Sequence, residues 1–320
     1  MSDIIGLILP FFGLIFLGFA VARFARQPIE ALGWMNVFVI YVALPALFFQ
    51  LLSKTPIEQL TEWKFIFGSV FSTFLIFLAM FLLSLVFSRG EIAESTIRGL
   101  ASAYGNIGYM GPGLALLALG EDAAVPIALI FCFENMMHFI VAPTLMALSG
   151  KDKERPLELA AKAAKGIVLH PFIIATALGV LAAWFRFHSP VALDRLLDSL
   201  AKAAAPCALF AMGVTLALRP LKRVPHELGV IALLKLAIHP ALCYVTLSLV
   251  GHFSPIWVFS AVLLASLPTA TNVFVIAQQY GVWVERASAS ILLTTVLSVV
   301  TVTATLYVIK SGMLPPDLFP

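Results

Sequence analysis

One stretch, Tyr104-Gly105-Asn106-Ile107-Gly108-Tyr109-Met110-Gly111-Pro112-Gly113, interrupts an apolar segment at 92–120. It puts four glycines and a proline where a membrane-spanning helix should be most regular, so the helix is expected to break between Asn106 and Pro112. In hydrocarbon such a break frees backbone N–H and C=O groups that cost several kcal/mol each unless protein, water or a ligand satisfies them. A broken helix at membrane depth therefore marks a candidate binding site. A second interruption, Ser266-Leu267-Pro268-Thr269-Ala270-Thr271-Asn272, lies near the C-terminus. Two interrupted apolar segments in corresponding halves of a chain are the sequence signature of a secondary transporter's substrate site.

That reading requires a membrane protein, and the composition supplies one. The 320 residues are 61% hydrophobic and 12% charged, and the mean hydropathy is +1.01, far outside the range of soluble domains. Windows of about 20 apolar residues predict ten spans, at 4–24, 32–53, 65–88, 92–120, 123–149, 163–187, 196–218, 228–250, 256–281 and 284–310. The first is expected to be a retained helix, because Asp3 precedes it while Arg23 and Arg26 follow it, the reverse of a signal peptide. Cys132, Cys207 and Cys243 lie inside apolar segments without pairing or metal-ligand spacing and read as small hydrophobes. No metal, cofactor or nucleic-acid partner is expected.

Loops after odd-numbered spans hold 13 of the Lys and Arg residues and the opposite side 6, with Lys235 left inside span eight. The positive-inside rule then puts both termini outside and the connecting loop 151–165 in the cytoplasm. That loop divides the chain into five spans (1–150) and five more (166–320). Odd numbers per half make the second half an inverted copy of the first. An offset of 161 residues aligns Pro10-Phe11 with Pro171-Phe172, Gly18 with Gly179, Pro45 with Pro206, Gly90 with Gly251 and Gly120 with Gly281. Under this pairing the interrupted spans four and nine are symmetry mates that cross at the midplane.

At span four, Pro112 suits the first position of a new helix, so the second half-helix is expected to begin at Gly111-Pro112, its positive dipole end ready for an anion. In span nine Pro268 biases Leu267 out of helix, and Thr271 or Asn272 can cap the restarting half. Asn106 and Asn272, with Tyr104, Thr269 and Thr271, complete the expected polar pocket. Intramembrane ionisable residues need a partner or a function. Lys235 and His239 lie one turn apart in span eight. Glu134, Asn135 and His138 lie in span five, with Glu134 and His138 on one face at i and i+4. For Lys235 a structural lock with Glu134 competes with a role in substrate attraction or coupling, and for Glu134 and His138 a structural pair competes with a proton relay.

These residues resemble the auxin efflux carrier family, the bacterial relatives of plant PIN proteins, and within it the malonate and other organic-anion permeases. The resemblance rests on Asn106-Ile107-Gly108-Tyr109-Met110-Gly111, on Pro268 with Asn272-Val273-Phe274-Val275 and Tyr280-Gly281, and on Lys235-Leu236 with Pro240. It implies an all-α fold of ten spans in two inverted repeats. Spans one, two, six and seven would form a scaffold, often dimeric, and spans three to five and eight to ten a transport domain. It also implies an inner-membrane location, with Asn106 close to substrate and Pro268 at the crossover. The sequence departs from the family in having Gly111-Pro112-Gly113 where Gly-x-Pro is usual. The expected function is secondary transport of small organic anions such as malonate or malate, with H⁺ or Na⁺ as coupling ion. A sodium-coupled symporter of larger amphipathic anions and an auxin-like exporter driven by potential are the alternatives. An intramembrane enzyme is not expected, since His226-Glu227 lacks the second His of a zincin helix.

Overall fold

The structure, a computed structural model, describes residues 2–87, 90–150, 161, 165, 168–187, 189–218 and 226–318. The described residues are helical apart from short connections, and their one isolated β-bridge pairs Gly105 with Thr269. Among the described residues six helices are long and apolar enough to cross a membrane: Glu30–Ser53, Trp63–Phe87, Glu121–Leu148, Val191–Leu218, Glu227–Val250 and Val284–Lys310. Shorter apolar helices occupy Leu9–Ala25, Ile107–Leu119, Pro171–Trp184 and Pro255–Ala265. Most of the expected connecting loop 151–165 lies outside the described residues.

The chain divides into two compact units. The first comprises Met1–Glu62, Gly108–Cys132 and Val168–Pro220. In it α1 (Ser2–Ala25) lies along α9 (Val191–Leu218) at a separation that only glycine permits. A methyl group on Gly18 would lie 2.2 Å from the Phe210 carbonyl oxygen, and one on Gly213 would lie 1.9 Å from that of Ile15. Small residues let membrane helices approach this closely, and the attraction is packing, since lipid removes the hydrophobic drive between helices. The core of this unit gathers Phe48 of α3 (Leu44–Ser53), Phe131 and Phe172 of α8 (Pro171–Trp184). Phe48 meets Phe172 edge-on at 4.1 Å.

The second unit comprises Trp63–Ile107, Phe133–Ile167 and Leu221–Pro320. Its α4 (Trp63–Phe87) buries Ser69, Ser72 and Thr73 on a face that packs on protein. The Ser69 and Ser72 hydroxyls donate back to carbonyls three residues earlier, which satisfies them inside an apolar helix, and the Thr73 hydroxyl lies 3.2 Å from the Ser69 carbonyl. The α4 helix packs on α5 (Ile92–Ala103) and α11 (His239–Val250), where Gly68 faces Leu247. Two π-helical turns, Val39–Ala43 and Leu234–Ile238, stand directly before helices whose second residue is a proline, Pro45 and Pro240. Proline has no N–H and crowds the carbonyl four residues back, and a wider turn relieves both. The second π turn carries Lys235.

Both interrupted segments are broken. The first break is Tyr104-Gly105-Asn106, between α5 and α6 (Ile107–Leu119). The second runs from Ser266 to Thr271, between α12 (Pro255–Ala265) and α13 (Asn272–Tyr280). The expected restart at Gly111-Pro112 is corrected: helix resumes at Ile107, and Gly111 and Pro112 sit buried inside α6, more than a turn past the break. The reason is pairing. Asn106 N–H donates to the Pro268 carbonyl at 2.7 Å, and Ala270 N–H donates to the Tyr104 carbonyl at 2.8 Å. These bonds satisfy the backbone at 104–106, whereas Pro112 forfeits one helical bond and kinks at most.

Candidate functional site

The two breaks meet inside the second unit, each supplying the other's missing backbone partners through the Gly105–Thr269 bridge. Around this crossing the structure gathers most of the residues expected from the sequence. Thr269 is fully buried, with its hydroxyl on the Ala101 carbonyl at 2.7 Å and its N–H on Thr294 Oγ1 at 3.1 Å. Asn106 is buried beside it. Asn272 Nδ2 donates to Tyr104 Oη at 2.8 Å, and that hydroxyl donates to Asn135 Oδ1. The Tyr104 ring stacks on the His138 imidazole at 4.1 Å and 19°. Asn272 and Thr271 remain half-buried, so they form the accessible edge of an otherwise enclosed polar cluster. Thr271 occupies the N-cap position of α13 but makes no side-chain cap bond, and the Asn272 amide is turned to Tyr104 instead. Neither therefore caps the restarting helix in the manner expected.

Lys235, 0% exposed, lies directly under the break. A methyl group on Gly105 would sit 3.3 Å from its Nζ, so glycine lets the Lys235 tip lie close beneath the break. The ammonium donates to the Ala265 carbonyl at 2.6 Å, the last residue of half-helix α12, where the helix dipole is negative. It also lies 3.0 Å from His239 Nδ1. With Lys235 as the donor, Nδ1 accepts and the imidazole proton is on Nε2, facing Thr73. That nitrogen is 3.0 Å from Thr73 Oγ1, which donates onward to Glu134 Oε1 at 2.9 Å. The result is a hydrogen-bonded chain, Lys235 to His239 to Thr73 to Glu134, with an amino group at one end and a carboxyl group at the other. Among the described residues neither ring nitrogen of His138 has a hydrogen-bond partner, so His138 stands beside Tyr104 and off this chain.

Thr73 and the Ala265 carbonyl were not expected from the sequence. The Ser69, Ser72, Thr73 run in an otherwise apolar α4 was the available signal for the first. Nothing local marks the second, because a carbonyl acquires its role from where the helix ends.

A helical membrane protein with a self-paired double break and a buried cation on a half-helix end belongs, by its architecture, to the solute carriers. Comparison with known proteins narrows this. The profile described as Membrane transport protein matches residues 3–306, and the chain belongs to that family, the auxin efflux carriers. It is 62% identical over 320 residues, the full length of both chains, to the "Putative malonate transporter" of Rhizobium meliloti (strain 1021). It is 24% identical over 314 residues to the "Uncharacterized transporter YfdV" of Escherichia coli (strain K12), covering 96% of this chain and 98% of the other. The protein is therefore a multi-pass membrane transporter, not an enzyme.

Proposed function

We propose that the protein is a secondary carrier of small organic anions, malonate or a near relative, working by alternating access around the crossing of its broken helices. The observation that carries this is the mutual pairing of the two breaks, Asn106 to Pro268 and Ala270 to Tyr104. It starts two half-helices, at Ile107 and Asn272, beside one polar cluster. Positive dipole ends and amide donors at one place suit a carboxylate. Substrate binds at the accessible edge formed by Asn272 and Thr271, with Asn106, Thr269 and Tyr104 behind. Transport belongs to the second unit, which contains the crossing, and the first unit, with spans one, two, six and seven, acts as scaffold. We read the whole as ten spans in two inverted repeats in a bacterial inner membrane, with outer termini and a cytoplasmic loop at 151–165.

Protons are the proposed coupling ion. In sodium-coupled carriers, unwound carbonyls and half-helix C-terminal ends hold Na⁺. Here the ammonium of Lys235 takes the Ala265 carbonyl, and the chain through His239 and Thr73 connects it to a carboxylate that can take up a proton. This favours H⁺ over the sodium-symporter alternative.

Flux of labelled malonate into proteoliposomes tests the reading. Asn106→Ala and Asn272→Ala are each expected to lower uptake at least tenfold while leaving the folded yield intact. Wild-type rates in both variants would remove the site from the crossing. Uptake that follows a Na⁺ gradient and ignores pH would replace the proton with sodium.

A further inference from the structure

In the first unit, away from the crossing, a cavity of about 680 Å³ opens where α3 and α8 end and α9 begins. Its volume falls within the roughly 300–1,000 Å³ of small-molecule sites. Ser53, Thr55 and Pro56 line one wall, and four charged side chains face it: Lys54, Arg186, Glu58 and Asp194. Two are basic and two acidic. None of the four forms an ion pair with another described residue. A site for an anion would carry net positive lining and a site for a cation net negative lining. Balanced, mutually unpaired charge around one space fits a ligand that itself carries both signs.

The backbone gives an independent reason to assign Arg186 a job. Helix α8 ends in a Schellman motif, with Phe187 N–H on the Ala182 carbonyl at 2.8 Å and Arg186 N–H on the Ala183 carbonyl at 3.1 Å. Arg186 sits at φ +48, the left-handed position that glycine or asparagine fills at most such ends. Placing arginine there carries a backbone cost, one also met at Arg26 and Trp283 among the described residues. The helix dipole alone does not explain it, since a basic residue one position earlier would answer the dipole without strain.

The surroundings indicate which kind of two-signed ligand this is. Trp184 and Phe187 line the cavity and stand 67% and 51% exposed, with Phe185 between them at 75%. Exposed aromatics at the end of an apolar helix mark the level where headgroups meet acyl chains. We propose that this cavity is a phospholipid headgroup site for a zwitterionic, phosphate-and-ammonium headgroup of the phosphatidylethanolamine type. Lys54 and Arg186 take the phosphate, Arg186 in the forked geometry that suits it. Glu58 and Asp194 take the ammonium, while the acyl chains leave past Trp184 and Phe187.

The test is thermal unfolding of the delipidated full-length protein in detergent, titrated separately with phosphatidylethanolamine, phosphatidylglycerol, free phosphoethanolamine and malonate. Phosphatidylethanolamine is expected to reach half its stabilising effect at about tenfold lower concentration than phosphatidylglycerol, the equivalent of one charge-assisted bond. Free phosphoethanolamine should require far more. Arg186→Gly suits the positive φ, so its lipid-free Tm should equal or exceed that of the natural protein, yet it should need about tenfold more phosphatidylethanolamine. Lys54→Gln should shift the titration the same way. An unchanged titration in Arg186→Gly, or equal response to the two lipids, overturns the proposal. Free phosphoethanolamine acting at the lipid's concentration would replace the lipid by a soluble zwitterion. Malonate stabilisation lost in Arg186→Gly would make the cavity a substrate vestibule. None of these outcomes depends on where transport takes place.

Discussion

A fully buried ammonium survives only where its hydrogen-bonding capacity is met, and Lys235 meets it with the Ala265 carbonyl and His239. Removing one end of a buried charge pair leaves the other uncompensated, typically at about 3–5 kcal/mol, whereas removing both together is often near neutral. Lys235→Met should therefore lower the Tm sharply. Lys235→Met combined with Glu134→Gln should recover most of that loss, because the Glu134 charge and the Lys235 charge vanish together. Transport should be absent from both variants. The split between stability and flux separates a coupling role from a structural lock, since a lock alone predicts that the double variant regains transport. Equal Tm values for the single and double variants would show that the two ends do not share one charge balance.

At the scale of the elements, glycines with opposite consequences lie in the same helix pair. Gly213 meets the Ile15 carbonyl so closely that a methyl group has nowhere to go, while Gly13 in α1 has nothing within 4 Å of where its methyl would be. Gly213→Ala must push two backbones apart, and overpacking of this kind costs about 1–3 kcal/mol or more. Gly13→Ala only removes a flexible residue from a helix interior, worth up to about 1 kcal/mol of gain. Thermal unfolding in detergent should move in opposite directions for the two, and a stabilised Gly213→Ala would mean α1 and α9 are not locked as described. The same scale explains what could be read from the sequence. Pro268, Gly105 and Asn106 stand out in apolar runs, so the existence of both breaks was legible. The second was also placed correctly, at Ser266 to Thr271, but the restart after the first was not, because Gly105 and Gly111-Pro112 are equally plausible locally. The choice fell to Pro268 and Ala270, far along the chain, whose backbone groups pair with Asn106 and Tyr104. Thr73 was hidden for a similar reason: its hydroxyl looks like any that bonds back along its helix until His239 and Glu134 are brought to it.

For the whole molecule the question is how much charge crosses per cycle. Each negative charge carried inward against 100 mV costs about 2.3 kcal/mol, so a dianion moving alone would meet about 4.6. The chain from Lys235 ends in a single carboxylate, Glu134, and one titrating carboxylate carries one proton. A dianion accompanied by one proton moves with net charge −1 and faces about 2.3 kcal/mol per 100 mV. Since a tenfold concentration ratio is worth about 1.36 kcal/mol, an interior more alkaline by about 1.7 pH units would cancel that opposition. Proteoliposomes with the potential clamped by a potassium gradient and an ionophore can count this directly. Uptake of malonate should rise as the outside is made more acidic at fixed internal pH. At fixed pH it should fall, rather than rise, when the interior is made negative, and in Glu134→Gln the acid stimulation should vanish. Indifference to potential would mean two protons per dianion, and acceleration by a negative interior would mean three. In either case a proton beyond the one on Glu134 crosses, carried by malonate itself or by a second group of the protein, and His138, buried beside Tyr104, is the residue to replace next.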